Sequence, residues 1–409
     1  MKNLFNVEKL DDFGRGVSHF NGKVVFIDNA LENEIVECQI TNDKKSFMEG
    51  FVTEIVERSE DRQDAKCPYY GDCGGCNIMH LKYIKSLDYK KKKVSFLLSK
   101  FAGIDSSKVK EIVPSQEYSY RNKITLKVKT KIGLYKNKSF ELVPIDKCII
   151  CSDKINEIIK VLKEFSFEGI DEIVIRTTYD NKSMVILTAK KEIDREYYIN
   201  KLRGYTDSLV LINDSSEEIL FGDGYIIEKL GNLYFRVSPR AFFQVNTNEA
   251  EKLYRVIENY ANLNKDDILL DLYCGTGTIG MFLSGNAKKV IGIEINSSSF
   301  KDAIFNKKLN GINNIEFIND SVDVLANKEE LQNVDCLIVD PPRSGLGKNA
   351  LKNVISFNSS KVIYVSCDPV TLARDLNVLK EYYEVKEITL VDMFPNTYHV
   401  ECVCILYRR

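Results

Sequence analysis

The sequence predicts an α/β protein in three parts. Residues 1–57 read as a small β-barrel of the oligonucleotide-binding kind, 58–235 as a central α+β domain, and 236–409 as a Rossmann-like, doubly wound domain. Three observations carry this. Short runs rich in Val, Ile and Phe alternate with glycines in the first 57 residues, a cysteine cluster followed by a basic helical stretch opens the middle, and from about residue 240 apolar runs alternate with helical stretches. That last rhythm is the mark of a parallel sheet covered on both faces.

In the first part, residues 23–28, 34–41 and 47–58 read as strands, with Gly14, Gly16 and Gly22 supplying turns. The polar stretch 59–66 reads as a linker. A helix with a basic face is expected over 80–102, β structure over 117–144 and 170–189, and a helix between them at 153–165. In the third part, 249–262 is helical, and strands are expected at 268–272, 289–295, 315–319, 336–339 and 361–365, with two more at 385–390 and 400–407.

Composition sets the outer bounds. The 409 residues are 44% apolar and 28% charged, which excludes a disordered chain, a collagen-like repeat and a coiled coil. The longest apolar runs, such as 402–407, are too short to cross a membrane, and residues 1–8 have no apolar signal core, so a cytoplasmic protein is expected. Eleven cysteines, an odd number, in such a chain argue against a disulfide framework and for metal binding, catalysis or core packing. The net charge of −2 taken alone weighs against nucleic acid as a partner. It conceals a local bias: residues 82–131 hold 14 Lys and Arg against 4 Asp and Glu, including the run Lys90, Lys91, Lys92 and Lys93. Such a stretch suits phosphate neutralisation, and Tyr118, Tyr120 and Arg121 within it suit stacking on unpaired bases.

The strand 268–272 runs into Tyr273-Cys274-Gly275-Thr276-Gly277-Thr278-Ile279-Gly280, a G-x-G-x-x-G turn opening a helix. Glu294 ends the next strand, 19 residues after Gly275, where an acid binds ribose hydroxyls. NAD, FAD and S-adenosylmethionine all fit this fingerprint. Asp340-Pro341-Pro342-Arg343 ends the fourth strand and resembles the signature of S-adenosylmethionine-dependent methyltransferases acting on nucleobases or amides. Ser366-Cys367-Asp368-Pro369 follows the fifth strand. Cys367 thus stands beside a helix amino terminus, a setting expected to lower a thiol pKa.

Residues 366–375, Ser-Cys-Asp-Pro-Val-Thr-Leu-Ala-Arg-Asp, resemble the nucleophile motif of the RNA uracil-5-methyltransferases. Residues 392–401, Asp-Met-Phe-Pro-Asn-Thr-Tyr-His-Val-Glu, resemble that family's carboxyl-terminal motif, and Phe242-Phe243-Gln244-Val245-Asn246 its Phe-x-Gln-Val-Asn segment. The likeness spans 236–409 and implies methylation of uridine C5 in RNA, with the base flipped out to reach the pocket. Cys367 is then the nucleophile at uracil C6 and Glu401 the acceptor of the C5 proton. The same likeness implies S-adenosylmethionine contacts from Gln244, Tyr273, Gly275, Gly277, Glu294 and Asp340. Asp368 and Asn396 depart from the Asn and His that the family often has there. Gly14-Arg15-Gly16-Val17 and the strand start at Gly22 resemble a TRAM domain, although Ala30-Leu31-Glu32-Asn33-Glu34 lacks the usual Pro-Gly.

Cys67-x5-Cys73-x2-Cys76 puts three thiols within ten residues, with Cys148 and Cys151 further on. By spacing alone, zinc and an iron–sulfur cluster both fit, and Cys148-x2-Cys151 keeps a zinc ribbon open. The resemblance implies a [4Fe-4S] cluster on Cys67, Cys73, Cys76 and Cys148, making the central part an iron–sulfur domain, with Cys151 spare. It also implies RNA contacts from Arg121, whose Tyr-Arg-Asn-Lys segment is similar to a family RNA-contact segment. The TRAM-plus-cluster arrangement resembles members acting on 23S ribosomal RNA; transfer RNA is the alternative, and a monomer is expected. A dinucleotide oxidoreductase using the glycine turn, or a non-catalytic RNA-binding protein, are the readings from other classes.

Overall fold

The computed structural model describes residues 3–214, 216–327, 331 and 334–409, and the chain falls into two compact units. The first comprises Met1–Lys93, Gly133–Ile145 and Phe394–His399; the second holds the rest. Alternation of apolar and polar residues gives the first unit a six-stranded sheet, in the order Asn3–Asn6, Ile35–Asp43, Phe47–Glu57, Lys23–Asp28, Gly16–Phe20, Lys9–Leu10. Its core is Phe5, Val7, Val25, Ile27, Val36 and Met48. Glu34, fully buried, accepts from Arg62 Nε at 2.5 Å and from the Leu31 N–H at 2.8 Å, so the following segment is tied to the sheet by a paired charge.

Besides the hairpin of Ile226–Leu230 and Leu233–Val237, the second unit contains two larger sheets. Five strands form one: Lys123–Val128, Ile170–Thr177, Ser183–Ala189, Ser208–Ile212 and Glu217–Phe221. The other has eight strands, in the order Ile315–Ile318, Lys289–Ile293, Ile268–Leu272, Cys336–Val339, Lys361–Ser366, Glu401–Arg408, Tyr383–Val391, Val109–Val113. The first five are parallel, and all but Ile315–Ile318 are almost wholly buried, as continuous Val/Ile/Leu runs require. Glu401–Arg408 inserts antiparallel to both its neighbours. The chain winds outward from Ile268–Leu272 to Ile315–Ile318, then returns to place Cys336–Val339 on the other side of Ile268–Leu272. That reversal opens a crevice at the carboxyl ends of these two strands, where Tyr273 and Asp340 follow.

One member of this sheet was not foreseen: Val109–Val113 pairs in parallel with Tyr383–Val391 at the far edge. Five residues reading Val-Lys-Glu-Ile-Val carry no local sign of a partner some 280 positions away. Among the described residues no helix is long and apolar enough to cross a membrane.

Candidate active site

Cys367 and Glu401 meet because of strand register. Ser366 is paired with Cys402 across the antiparallel ladder, so Cys367 leaves one strand where Glu401 begins the other. Glu401 is also paired with Val391 on its other side and is only 8% exposed. Burial pushes the Glu401 carboxyl up to about 8, with Asp340 adding to the rise and Arg343 opposing it. Burial likewise pushes the half-buried Cys367 thiol up to about 12, Glu401 adding and Arg343 opposing. Cys367, Glu401, Asp340 and Arg343 therefore sit within electrostatic reach of one another at the carboxyl edge of the sheet.

The resting thiol is thus protonated, against the expectation of a lowered pKa. Burial is the chief reason, and the cap adds to it. Asp368 accepts the N–H groups of Val370 and Thr371 at 2.9 and 3.0 Å, so a carboxylate, not the thiol, takes the positive end of helix Pro369–Leu379. An asparagine in this place would cap through the same kind of oxygen, so the departure at Asp368 leaves the helix start intact. Asn396 has φ of +67°, a left-handed conformation asparagine tolerates well, and its carbonyl accepts the N–H groups of Asn77 and Ile78.

Arg343 was quoted in a motif but given no role by sequence reasoning. The helix after Cys367 holds its loop in place. Thr371 Oγ1 donates to the Arg343 carbonyl at 3.2 Å, and Arg374 donates to the carbonyls of Ser344 and Leu346 at 2.9 and 3.1 Å. Asp375, fully buried, accepts from the Leu346 N–H at 2.7 Å and from Tyr364 Oη at 2.6 Å. The polar residues of the 366–375 motif thus set where the guanidinium can reach. Arg343→Gln removes a charge that favours the ionised forms of both Cys367 and Glu401. The variant is expected to move the acidic limb of the activity profile upward by about one pH unit, read from initial rates between pH 6 and 9.

The glycine turn is built for a ligand. Tyr273 and Gly275 adopt φ of +63° and +58°, and a Cβ at Gly275 would project into open space. Gly275 donates its N–H to Glu294 at 2.9 Å while Asn296 donates to the other Glu294 oxygen at 2.6 Å, fixing the carboxylate at the strand end. Beneath the turn, Asp271 accepts the Gly280 N–H at 2.9 Å, its other oxygen has no hydrogen-bond partner, and burial raises it to about 8. Burial also raises Asp340 to about 7 and Tyr273 to about 12. An open cradle over the turn, edged by a fixed carboxylate, suits the hydroxyl-rich nucleoside of the expected S-adenosylmethionine. Gly277, at φ +82°, has no such room: a Cβ there would lie 2.6 Å from Phe317 Cζ. Gly277→Ala is expected to cost about 2–4 kcal/mol through left-handed strain plus overpacking, seen as a lower unfolding midpoint and weakened S-adenosylmethionine binding by calorimetry.

Gln244 lies on a segment anchored along its length. Arg176 donates to the Ala241 carbonyl at 2.6 Å, and Asn246 Nδ2 donates to Met393 O at 3.1 Å. Asn122 donates its backbone N–H to Val245 O at 2.8 Å, and its amide to Gln244 O at 3.3 Å and Thr247 Oγ1 at 2.9 Å. The Tyr-Arg-Asn-Lys segment therefore acts here through Asn122 on the Gln244 strip. Arg121 itself donates Nε to the Lys123 carbonyl at 2.8 Å and is only part-exposed.

The basic run needs correction. Lys90 is 0% exposed and donates to Phe394 O at 3.2 Å; Lys93, also buried, donates to Tyr398 O at 2.5 Å. Both point inward because helix Tyr83–Ala102 turns about 100° per residue, so four consecutive lysines cannot share one face. Of the four, Lys92 is exposed and Lys91 partly so, and Tyr120 is buried as well. Among the described residues no three His, Cys, Asp or Glu side chains stand in an arrangement that holds a metal ion. Cys148 has Cys151 as a hydrogen-bond partner, and chiefly for that reason its thiol is drawn down to about 7. Of the four thiols expected to hold a cluster, Cys67, Cys73 and Cys76 lie in the first unit and Cys148 in the second. Cys38, Cys274, Cys336, Cys402 and Cys404 are all buried.

A family model described as tRNA (Uracil-5-)-methyltransferase matches residues 82–409, and a TRAM domain model matches residues 6–53. An uncharacterized RNA methyltransferase of Clostridium acetobutylicum is 36% identical, covering 98% of this chain and 96% of that protein. One of Halalkalibacterium halodurans is 33% identical over 98% and 95%. The crystal structure of Pyrococcus abyssi tRNA (uracil-54, C5)-methyltransferase in complex with S-adenosyl-L-homocysteine is similar with a TM-score of 0.81 and 28% identity, covering 98% of this chain and 99% of that one. The chain belongs to the tRNA (uracil-5-)-methyltransferase family and carries a TRAM domain.

Proposed function

We propose that this enzyme methylates C5 of a flipped-out uridine in RNA, with S-adenosylmethionine as donor and ribosomal RNA as substrate. The observation that carries the reading is the gathering of Cys367, Glu401, Asp340 and Arg343 at the carboxyl edge of the sheet, beside the glycine turn. S-adenosylmethionine, when bound, supplies an electrophilic methyl group. Gln244, Tyr273, Gly275, Gly277, Glu294 and Asp340 would hold it.

The chain's own residues do the rest. Uracil C5 is a poor nucleophile until a thiolate adds at C6 and pushes an electron pair onto C5. Cys367 supplies that sulfur, losing its proton in the process, and Arg343 favours the anion. C5 then accepts the methyl group. Glu401 takes the C5 proton, the C5–C6 double bond re-forms, and the Cys367 thiolate leaves, restoring the enzyme. Glu401 suits this work because a carboxyl raised to about 8 is a stronger base than an exposed one. Exposed Lys92, part-exposed Lys91 and Arg121 are the proposed contacts to phosphate.

Incubation with labelled S-adenosylmethionine and RNA carrying 5-fluorouridine tests the scheme. Fluorine cannot leave as a proton, so a covalent protein–RNA adduct should accumulate; no adduct on any cellular RNA sinks the proposal. Transfer RNA is the second reading, favoured by the likeness to the Pyrococcus enzyme. Adduct on unmodified transfer RNA and none on ribosomal RNA would select it. For the cysteines we propose a [4Fe-4S] ligand set, with zinc the alternative, supported by the part-exposed thiols of Cys67, Cys73, Cys76 and Cys148. Iron and acid-labile sulfide after anaerobic purification support it; stoichiometric zinc in colourless protein replaces it.

A further inference from the structure

We propose that the first unit holds a binding site for an unpaired guanine of the RNA, in a cavity of about 100 Å³ lined by Phe13, Asp28, Asn77 and Tyr398. The inference rests on the reading that the substrate is RNA and extends it to a second base, away from the uridine.

One wall is aromatic and braced. Phe13 is 54% exposed, yet its ring meets Tyr398 edge-on at 5.5 Å. Lys93 fixes Tyr398 through its carbonyl and sits 5.3 Å from its ring. Arg15 lies 5.6 Å from the Phe13 ring, but its charge is already met by Asp11 at 2.7 Å and Glu49 at 2.9 Å. It therefore supports the ring and does not serve as a phosphate clamp. An exposed aromatic face held in place from behind is a stacking platform for a base.

The opposite lining is polar and unsatisfied. Asp28 ends the strand Lys23–Asp28, and among the described residues its carboxylate accepts no hydrogen bond. Burial raises its pKa, Lys138 and Arg15 oppose that rise, and Asp11 and Glu49 add to it. The side-chain amides of Asn77 and Asn29, which also line the cavity, have no hydrogen-bond partners among the described residues either. A half-buried carboxylate without donors is costly unless a ligand brings them. Guanine carries N1–H and N2–H side by side, a match for the two oxygens of one carboxylate. Uracil offers a single N–H flanked by carbonyls that a carboxylate repels. Adenine and cytosine offer an amino group beside a ring acceptor. The asparagine amides can donate to guanine O6, and Lys138, its side chain 64% exposed and 3.6 Å from Glu49, stands at the cavity. Cys73 and Cys76, two of the thiols proposed as cluster ligands, also line the cavity, so the test is run on protein purified anaerobically with any bound metal retained.

The test uses the full chain and fluorescein-labelled five-nucleotide RNAs with uridine flanks and a central guanosine, inosine or adenosine, read by anisotropy. Wild type should bind the guanosine RNA about tenfold more tightly than the adenosine RNA, with inosine, which lacks the 2-amino group, in between. Asp28→Ala should bring the three within about twofold, and Phe13→Ala should weaken all three alike. Equal binding by wild type, or a preference that survives Asp28→Ala, overturns the proposal. The inosine comparison needs no variant, so a poorly folding Asp28→Ala does not rescue it. A fluorouridine adduct on Cys367 without guanine preference defeats this inference alone. Guanine preference without adduct defeats the methyl-transfer reading alone.

Discussion

Cys367→Ala is expected to abolish both methyl transfer and the 5-fluorouridine adduct, with turnover falling roughly 10⁴-fold or more, the scale seen when a nucleophile acting as part of a unit is removed. Without sulfur at C6 there is no electron-rich C5, and Cys402, next to Glu401 in the chain, and Cys404 lie buried within the strand that Glu401 begins. The fold should be indifferent to the change. Cys367 follows the last paired residue of its strand and is only part-buried, so the unfolding midpoint should move by no more than the equivalent of about 1 kcal/mol. S-adenosylmethionine binding, measured by calorimetry, should match wild type. Residual adduct formation by the alanine variant would remove Cys367 from the mechanism.

Glu401→Gln is expected to separate the two halves of the reaction. Addition and methyl transfer precede the removal of the C5 proton, so this variant should trap methylated RNA on Cys367 with ordinary uridine, visible as a band of slower mobility after denaturing electrophoresis. Turnover should fall about 10³-fold, the middle of the range for a lost general base. The pH dependence of wild type follows from the same residue. Its carboxyl must be ionised to accept a proton, and its folded pKa is raised to about 8. The rate should therefore climb about tenfold per pH unit below that value and level off above it. The apparent midpoint belongs to the Cys367–Glu401 pair and not to either group alone. A profile flat from pH 6 to 9 would show that Glu401 is not the base.

Much of this was readable from the chain, and the failures have physical causes. The parallel strands were legible as continuous apolar runs, since burial on both faces leaves no alternation to mistake. The edge strand Val109–Val113 was not, because its partnership with Tyr383–Val391 is a long-range fact. The acidity of Cys367 was misjudged because burial, which a linear reading does not show, outweighs the helix end, and one residue on, Asp368 caps that end with its own carboxylate. The four-lysine run was taken as a patch although a helix spreads neighbours around its axis, which buries Lys90 and Lys93. Arg343 and Asn122 were both present in quoted motifs. Their work depends on contacts with Thr371 and with Gln244 that a linear reading does not reveal.

The antiparallel strand Glu401–Arg408 has a consequence for what the protein can tolerate. Thirty-four positions separate Cys367 from Glu401 along the chain, yet the ladder pairs Ser366, just before Cys367, with Cys402, just after Glu401. The spacing between the proposed nucleophile and the proposed base is thus a count of hydrogen-bonded rungs. Length can vary in the loops on either side without disturbing it. A single residue gained or lost inside the strand would turn every following side chain to the opposite face. The sheet works as a ruler for the chemistry, with the backbone as its scale.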